Sequence, residues 1–146
     1  MRKQAQAIFL LLCGMVLLNA QTPVQGLKNV KAVYVSLEGQ NASVGEMLRA
    51  KIIAQLTKIQ GLSVVEEETD ADAILTGSGL VQSGVNEYGR TRYRIQGGMR
   101  LISKEGGRVL WADDISSSRY ARSASSSFAE NLAKKLGQAF ADSQKK

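Results

Sequence analysis

Between residues 91 and 103, apolar and polar side chains alternate over the length of a long β-strand. Tyr93, Ile95, Met99 and Leu101 share one side, and Arg92, Arg94, Gln96 and Arg100 share the other. Successive side chains of a strand point to opposite faces of its sheet, so a period of two predicts one buried face and one solvated face. A chain that carries such a segment must supply cover for one side of a sheet and leave the other side in water.

The flanking segments supply that cover. Residues 31–37, rich in β-branched and aromatic side chains, read as a first strand, which Gly39, Gln40 and Asn41 break. Ser43 and Glu46 then have capping-box spacing, the serine oxygen accepting from the third helical N–H while the glutamate reaches back. Behind them Val44, Leu48, Ile52, Leu56 and Ile59 recur mostly every four residues as one apolar stripe, and Gly61 can close the helix with a positive φ. Residues 62–65 are a short second strand, 66–70 an acidic turn and 73–81 a third strand. Gly77 and Gly79 within it point to a bulge, a bend or a close backbone approach. Residues 86–89 form a hairpin tip and 104–107 a second turn, after which 108–112 open a fifth strand. A serine-rich stretch, 116–127, leads into the last helix. There Ser127 and Glu130 repeat the capping-box spacing, and Phe128, Leu132, Leu136 and Phe140 form a core stripe.

The order is therefore β-α-β-β-β-α. A helix that leaves the first strand returns the chain to a parallel neighbour, whereas the later, hairpin-joined strands are antiparallel. The expected fold is an α+β two-layer sandwich, a mixed sheet with both helices on its apolar face. One domain over residues 30–142 follows an extended lead-in at 21–29 and precedes a solvated tail at 143–146.

Residues 1–20 have a different character. Arg2 and Lys3 precede an almost unbroken apolar run over 7–18, and Asn19, Ala20 and Gln21 follow. A charged start, a short apolar run and a small residue describe a signal peptide cleaved between Ala20 and Gln21. The run is shorter than the roughly 20 residues that span a bilayer. Cys13 sits inside it, with Val16, Leu17 and Leu18 still to come, so its position does not suit lipid attachment. Cleavage leaves 126 of the 146 residues, ample for one domain with a true core. It also removes the one cysteine from a chain that has no histidine, so no disulfide forms and no imidazole is available. Loss of Arg2 and Lys3 takes the 19 basic residues to 17 against 13 acidic ones, a formal charge of +4. A mildly basic exported protein is drawn to anionic surfaces.

Sites for chemistry are few. In the run Gly77-Ser78-Gly79 the third glycine of a dinucleotide fingerprint falls at Gln82, and no Gly-Lys-Ser/Thr follows, so no cofactor is expected. The acids at 66–68, 70 and 72 lack the spaced ligands and central glycine of a calcium loop, and no metal is expected either. Asp113 and Asp114 are adjacent and point to opposite faces, poor geometry for a carboxylate pair. The serines lack a histidine base, and spacing alone picks out no serine–lysine pair. What remains is Tyr88, Arg90, Arg92, Arg94 and Arg100, a basic and aromatic set around the fourth strand. Such a set would suit nucleic acid in a cytoplasmic protein. Export replaces that partner with an anionic envelope component or an acidic protein.

Val33-Tyr34-Val35, the amphipathic helix after it, residues 62–66, residues 71–77 and Gly107-Arg108-Val109-Leu110-Trp111 together resemble small bacterial envelope domains. Similar groups are the amino-terminal domain of the Tol–Pal periplasmic protein B, the curli-secretion lipoprotein and the lipoprotein activators of penicillin-binding proteins. The resemblance implies a non-enzymatic α+β docking module of the envelope, and the exported protein is expected in the periplasm, at the outer membrane or secreted from the cell. The chain lacks the lipid-attachment motif, the inserted membrane hairpins and the second domain of those groups. The function expected is thus an exported, non-catalytic adaptor that binds through a sheet edge or its arginine-bearing face. Alternatives are a small exported hydrolase using serine and lysine or carboxylates, and a structural subunit that self-assembles through a sheet edge.

Overall fold

A computed structural model describes residues 26–39, 42–85 and 87–145. The leader with Cys13 and the Ala20–Gln21 junction lie outside the described residues, as does Asn86 at the hairpin tip. The described elements are five strands and two longer helices. The strands are β1 (Ala32–Gly39), β2 (Ser63–Val65), β3 (Ala73–Val85), β4 (Thr91–Ser103) and β5 (Val109–Tyr120); the helices are α1 (Ala42–Leu56) and α2 (Ala121–Gln144). One mixed sheet has the strand order β2-β1-β3-β4-β5. β1 is parallel to both β2 and β3, and β4 is antiparallel to β3 and β5. This is the expected α+β sandwich.

Both helices lie on the apolar face. Val33, Val35, Leu75, Met99, Leu101 and Ile115 of the sheet share one buried cluster with Ile52 and Leu56 of α1 and Phe128, Leu132 and Leu136 of α2. The α2 stripe is buried through Phe140, and Leu48, Ile52 and Leu56 of the α1 stripe are buried. Gly77 makes room for this packing. It lies opposite Met99, and a β-carbon there would overlap the Met99 sulfur and come within 2.7 Å of the Gly98 carbonyl. The glycine thus marks a close approach in an unbroken strand. The register break falls elsewhere, between Leu101 and Ile102, where β5 accommodates Leu110 as an extra residue.

Several boundaries differ from the sequence reading. α1 begins at Ala42, ahead of Ser43, and ends at Leu56; turns carry the chain on to Gly61, whose φ is 82°. β3 runs on to Val85 and β5 to Tyr120, because pairing with β4 holds both as far as Thr91 and Arg92. The serine-rich stretch is therefore not a lead-in: its first half is strand and its second half helix, and Ser127 lies inside α2. Leu27, placed in the extended lead-in, is 3% exposed and belongs to the core; Ser143, placed in the tail, is fully buried and donates its hydroxyl proton to the Phe140 carbonyl.

Candidate docking surface

The second face of the sheet carries no described helix, and the register shows what it presents. Val65, Tyr34, Ile74, Ile102 and Val109 stand in one row across all five strands. The next row is Ser36, Thr76, Arg100 and Ala112. Further along the strands come Gln96 beside Ser116, then Arg94 opposite Gln82 and Arg92 opposite Gly84. The face thus grades from an apolar row at one end to arginines at the other.

The five residues singled out from sequence do not form one patch. Arg92, Arg94 and Arg100 are exposed on the uncovered face as expected. Six residues separate Arg94 from Arg100, about 20 Å of strand. Arg100 sits in mid-sheet, while Tyr88, Arg90, Arg92 and Arg94 belong to the β3–β4 hairpin, where it projects past the last β1–β3 pair at Gly39 and Gly79. Tyr88 at its tip is 82% exposed. Sequence alternation located the arginines because they share a strand. The apolar row was missed because its members come from five strands, and only register aligns them.

Two free edges of the sheet are closed by helix side chains. β2 ends at Val65 beside Tyr34, which leaves the next outward carbonyl of β1, that of Val35, without a strand partner. Arg49 of α1 donates its Nε–H to that carbonyl at 2.9 Å, and its guanidinium stands 5.7 Å from the centre of the Tyr34 ring. On the far edge, α2 lies along β5. Asn131 donates to the Ser116 carbonyl at 3.1 Å; Lys135 donates to the Asp114 carbonyl at 3.1 Å and pairs with the Asp113 carboxylate at 2.8 Å. Blocked edges of this kind prevent strand addition.

Asp72, counted from sequence in a solvated acidic loop, pins the start of the sheet. Its Oδ2 accepts the Lys31 and Ala32 N–H groups at 2.8 and 2.9 Å. These two bonds, first that from Lys31, hold its carboxyl below the usual carboxylate range. The remaining acids at 66–68 and 70 are exposed.

A serine–lysine pair exists that spacing did not reveal. Lys51 Nζ of α1 donates to Ser126 Oγ of α2 at 2.6 Å, and both residues are half-buried. In this contact the lysine is the donor and the serine hydroxyl the acceptor. Ser126 also lies well inside α2, where backbone N–H groups bond within the helix and cannot form an oxyanion hole. The pair fastens the two helices. An open cavity at the foot of the sheet, lined by Asp72, Lys104 and Arg108 among others, does not include it.

No protein-family model and no curated protein sequence matches the chain. Solved structures do match its fold. A dodecameric PelC from Paraburkholderia phytofirmans superposes with a TM-score of 0.55 at 18% identity, over 75% of this chain and 86% of that one. Lipoprotein GNA1162 from Neisseria meningitidis matches with a TM-score of 0.51 at 15% identity, over 76% of this chain and 98% of that one. Protein XCC0632 from Xanthomonas campestris matches with a TM-score of 0.54 at 9% identity, over 76% and 81% of the two chains. At these identities the likeness is one of fold.

Proposed function

We propose that this protein is an exported, non-catalytic docking domain of the bacterial cell envelope, which binds its partner on the uncovered face of its sheet. The observation that carries the reading is the apolar row across five strands, continuous on one face with Arg100, Arg94 and Arg92. An apolar strip with arginines beyond it is suited to an envelope protein that offers a hydrophobic ridge and an acidic flank. The leader supports export, and the fold shared with the Neisseria lipoprotein supports an envelope setting. No helix among the described residues is long and apolar enough to cross a membrane.

The test has two parts. Intact mass of the protein recovered after expression in a bacterium should correspond to residues 21–146; a retained leader or a lipid adduct on Cys13 counts against this reading of the leader. The recovered protein, immobilised, should then capture a defined set of envelope partners. Either Ile74→Glu with Ile102→Glu or Arg92→Glu with Arg94→Glu should reduce that capture at least tenfold. Unchanged capture by both folded double variants would show that the face is not the docking surface.

A further inference from the structure

Among the described residues, a third edge of the sheet is not closed. Beyond Gly79 β3 has lost β1 as a neighbour, yet it continues to Val85. The hydrogen-bond pattern shows which backbone groups this leaves outward. Lys104 N–H donates to the Asp72 carbonyl at 3.0 Å, and Ser103 N–H turns away to the Arg108 carbonyl at 2.8 Å. Ala73 and Ser103 are therefore a non-hydrogen-bonded pair, so the even-numbered residues of β3 bond β4 and the odd-numbered ones point to the other side. Before Gly79 that side is β1. Past it, the outward N–H and C=O groups are those of Val81, Ser83 and Val85.

The segment lacks two of the usual defences of an edge strand. Residues 80–85 read Leu-Val-Gln-Ser-Gly-Val, without charge or proline. Val81 and Val85 are 40% and 70% exposed on the side of the sheet that the helices cover elsewhere. The run is also self-complementary. Val81-Gln82-Ser83-Gly84-Val85 is symmetric about Ser83 in its outward residues. When such a strand meets its own copy antiparallel, Ser83 faces Ser83 and each Val81 faces a Val85. All three are hydrogen-bonding positions. On the opposite face Gln82 meets Gly84, where a β-carbon would have no atom within 4 Å.

We infer that the β3 edge at residues 81–85 pairs with the same edge of a second copy of this chain, antiparallel about a two-fold axis at Ser83. This is an isologous contact, in which one patch serves both protomers. It joins the two sheets edge to edge. Arg92 and Arg94 do not oppose it, because they lie on β4, and two β4 strands would stand about 14 Å apart across the junction, past the physiological screening length. The second edge of the hairpin is unavailable for a head-to-tail alternative, since β5 covers β4 as far as Arg92. The contact is distinct from the uncovered face, and its failure would leave the docking reading standing.

Cysteine cross-linking in a Cys13→Ser background decides it. Ser83→Cys should form a disulfide-linked dimer under mild oxidation, because a hydrogen-bonded antiparallel pair sets its α-carbons about 5.5 Å apart, within disulfide range. Gln82→Cys, which faces Gly84 of the second copy instead of itself, should not. Light scattering of the native chain should give twice the protomer mass. Val81→Lys with Val85→Lys should give the protomer mass, with an unchanged circular dichroism spectrum. A larger assembly in which Ser83→Cys still links pairs also supports the contact. A monomeric native chain, an assembly in which Ser83→Cys fails to cross-link, or a dimer that survives the double lysine variant overturns it.

Discussion

Asp72 shows how much one exposed side chain can organise. It sits where β1 and β3 begin and β4 ends. Its carboxylate accepts two N–H groups of residues 31 and 32, its own N–H donates to the Ala32 carbonyl, and its carbonyl accepts from Lys104. Because the folded carboxyl is held below its unfolded value, its contribution is present above the unfolded carboxylate range and is lost as pH falls through the folded one. Asp72→Ala should cost about 1 kcal/mol at neutral pH, because the two hydrogen bonds it removes are exposed to water and screened. In denaturant titrations at a series of pH values, the difference from the native protein should shrink towards acid. A difference that stays constant with pH would mean that the carboxylate charge is not what stabilises the turn. From sequence the residue looked like one more acid in a run. Only the return of β3 beside the start of β1 gives it two N–H groups to cap.

Helices and strands meet in this fold in two ways. Apolar stripes bury the inner face, and a few polar side chains finish the edges. The stripes were legible from spacing, since four-residue recurrence puts Phe128, Leu132, Leu136 and Phe140 on one side of a helix whatever it packs against. The edge contacts were not, because Arg49, Asn131 and Lys135 look like ordinary surface residues until a strand lies beside them. Asn131→Ala with Lys135→Ala should lower stability by no more than about 2 kcal/mol, because the ion pair is half-exposed and water can replace both donors at the carbonyls. The larger effect should be on association. With the Asp114 and Ser116 carbonyls uncovered, the variant should aggregate faster than the native protein at equal concentration below its melting temperature. Equal rates would mean that α2 protects β5 by bulk alone.

Across the whole molecule, cover is uneven. One end of the sheet has both helices above it, whereas the hairpin at the other end extends past β1 with Val81, Val85 and Tyr88 exposed. Local opening should follow that gradient. The Gln82 and Gly84 amides, bonded to β4 in the hairpin, should exchange at a lower free energy of opening than the Ile74 and Thr76 amides, which should exchange only by global unfolding. One common value for all four would mean that the hairpin opens only with the rest of the domain. The sequence by itself determined the element order, the two-layer architecture and the face on which each β4 side chain lies. Those properties follow from local periodicity and turn chemistry, which act over a few residues. Tertiary structure alone decided the apolar row, the plugged edges and the open edge at residues 81–85. Each depends on which strands become neighbours and in what register, and that is set by the packing of segments far apart in the chain.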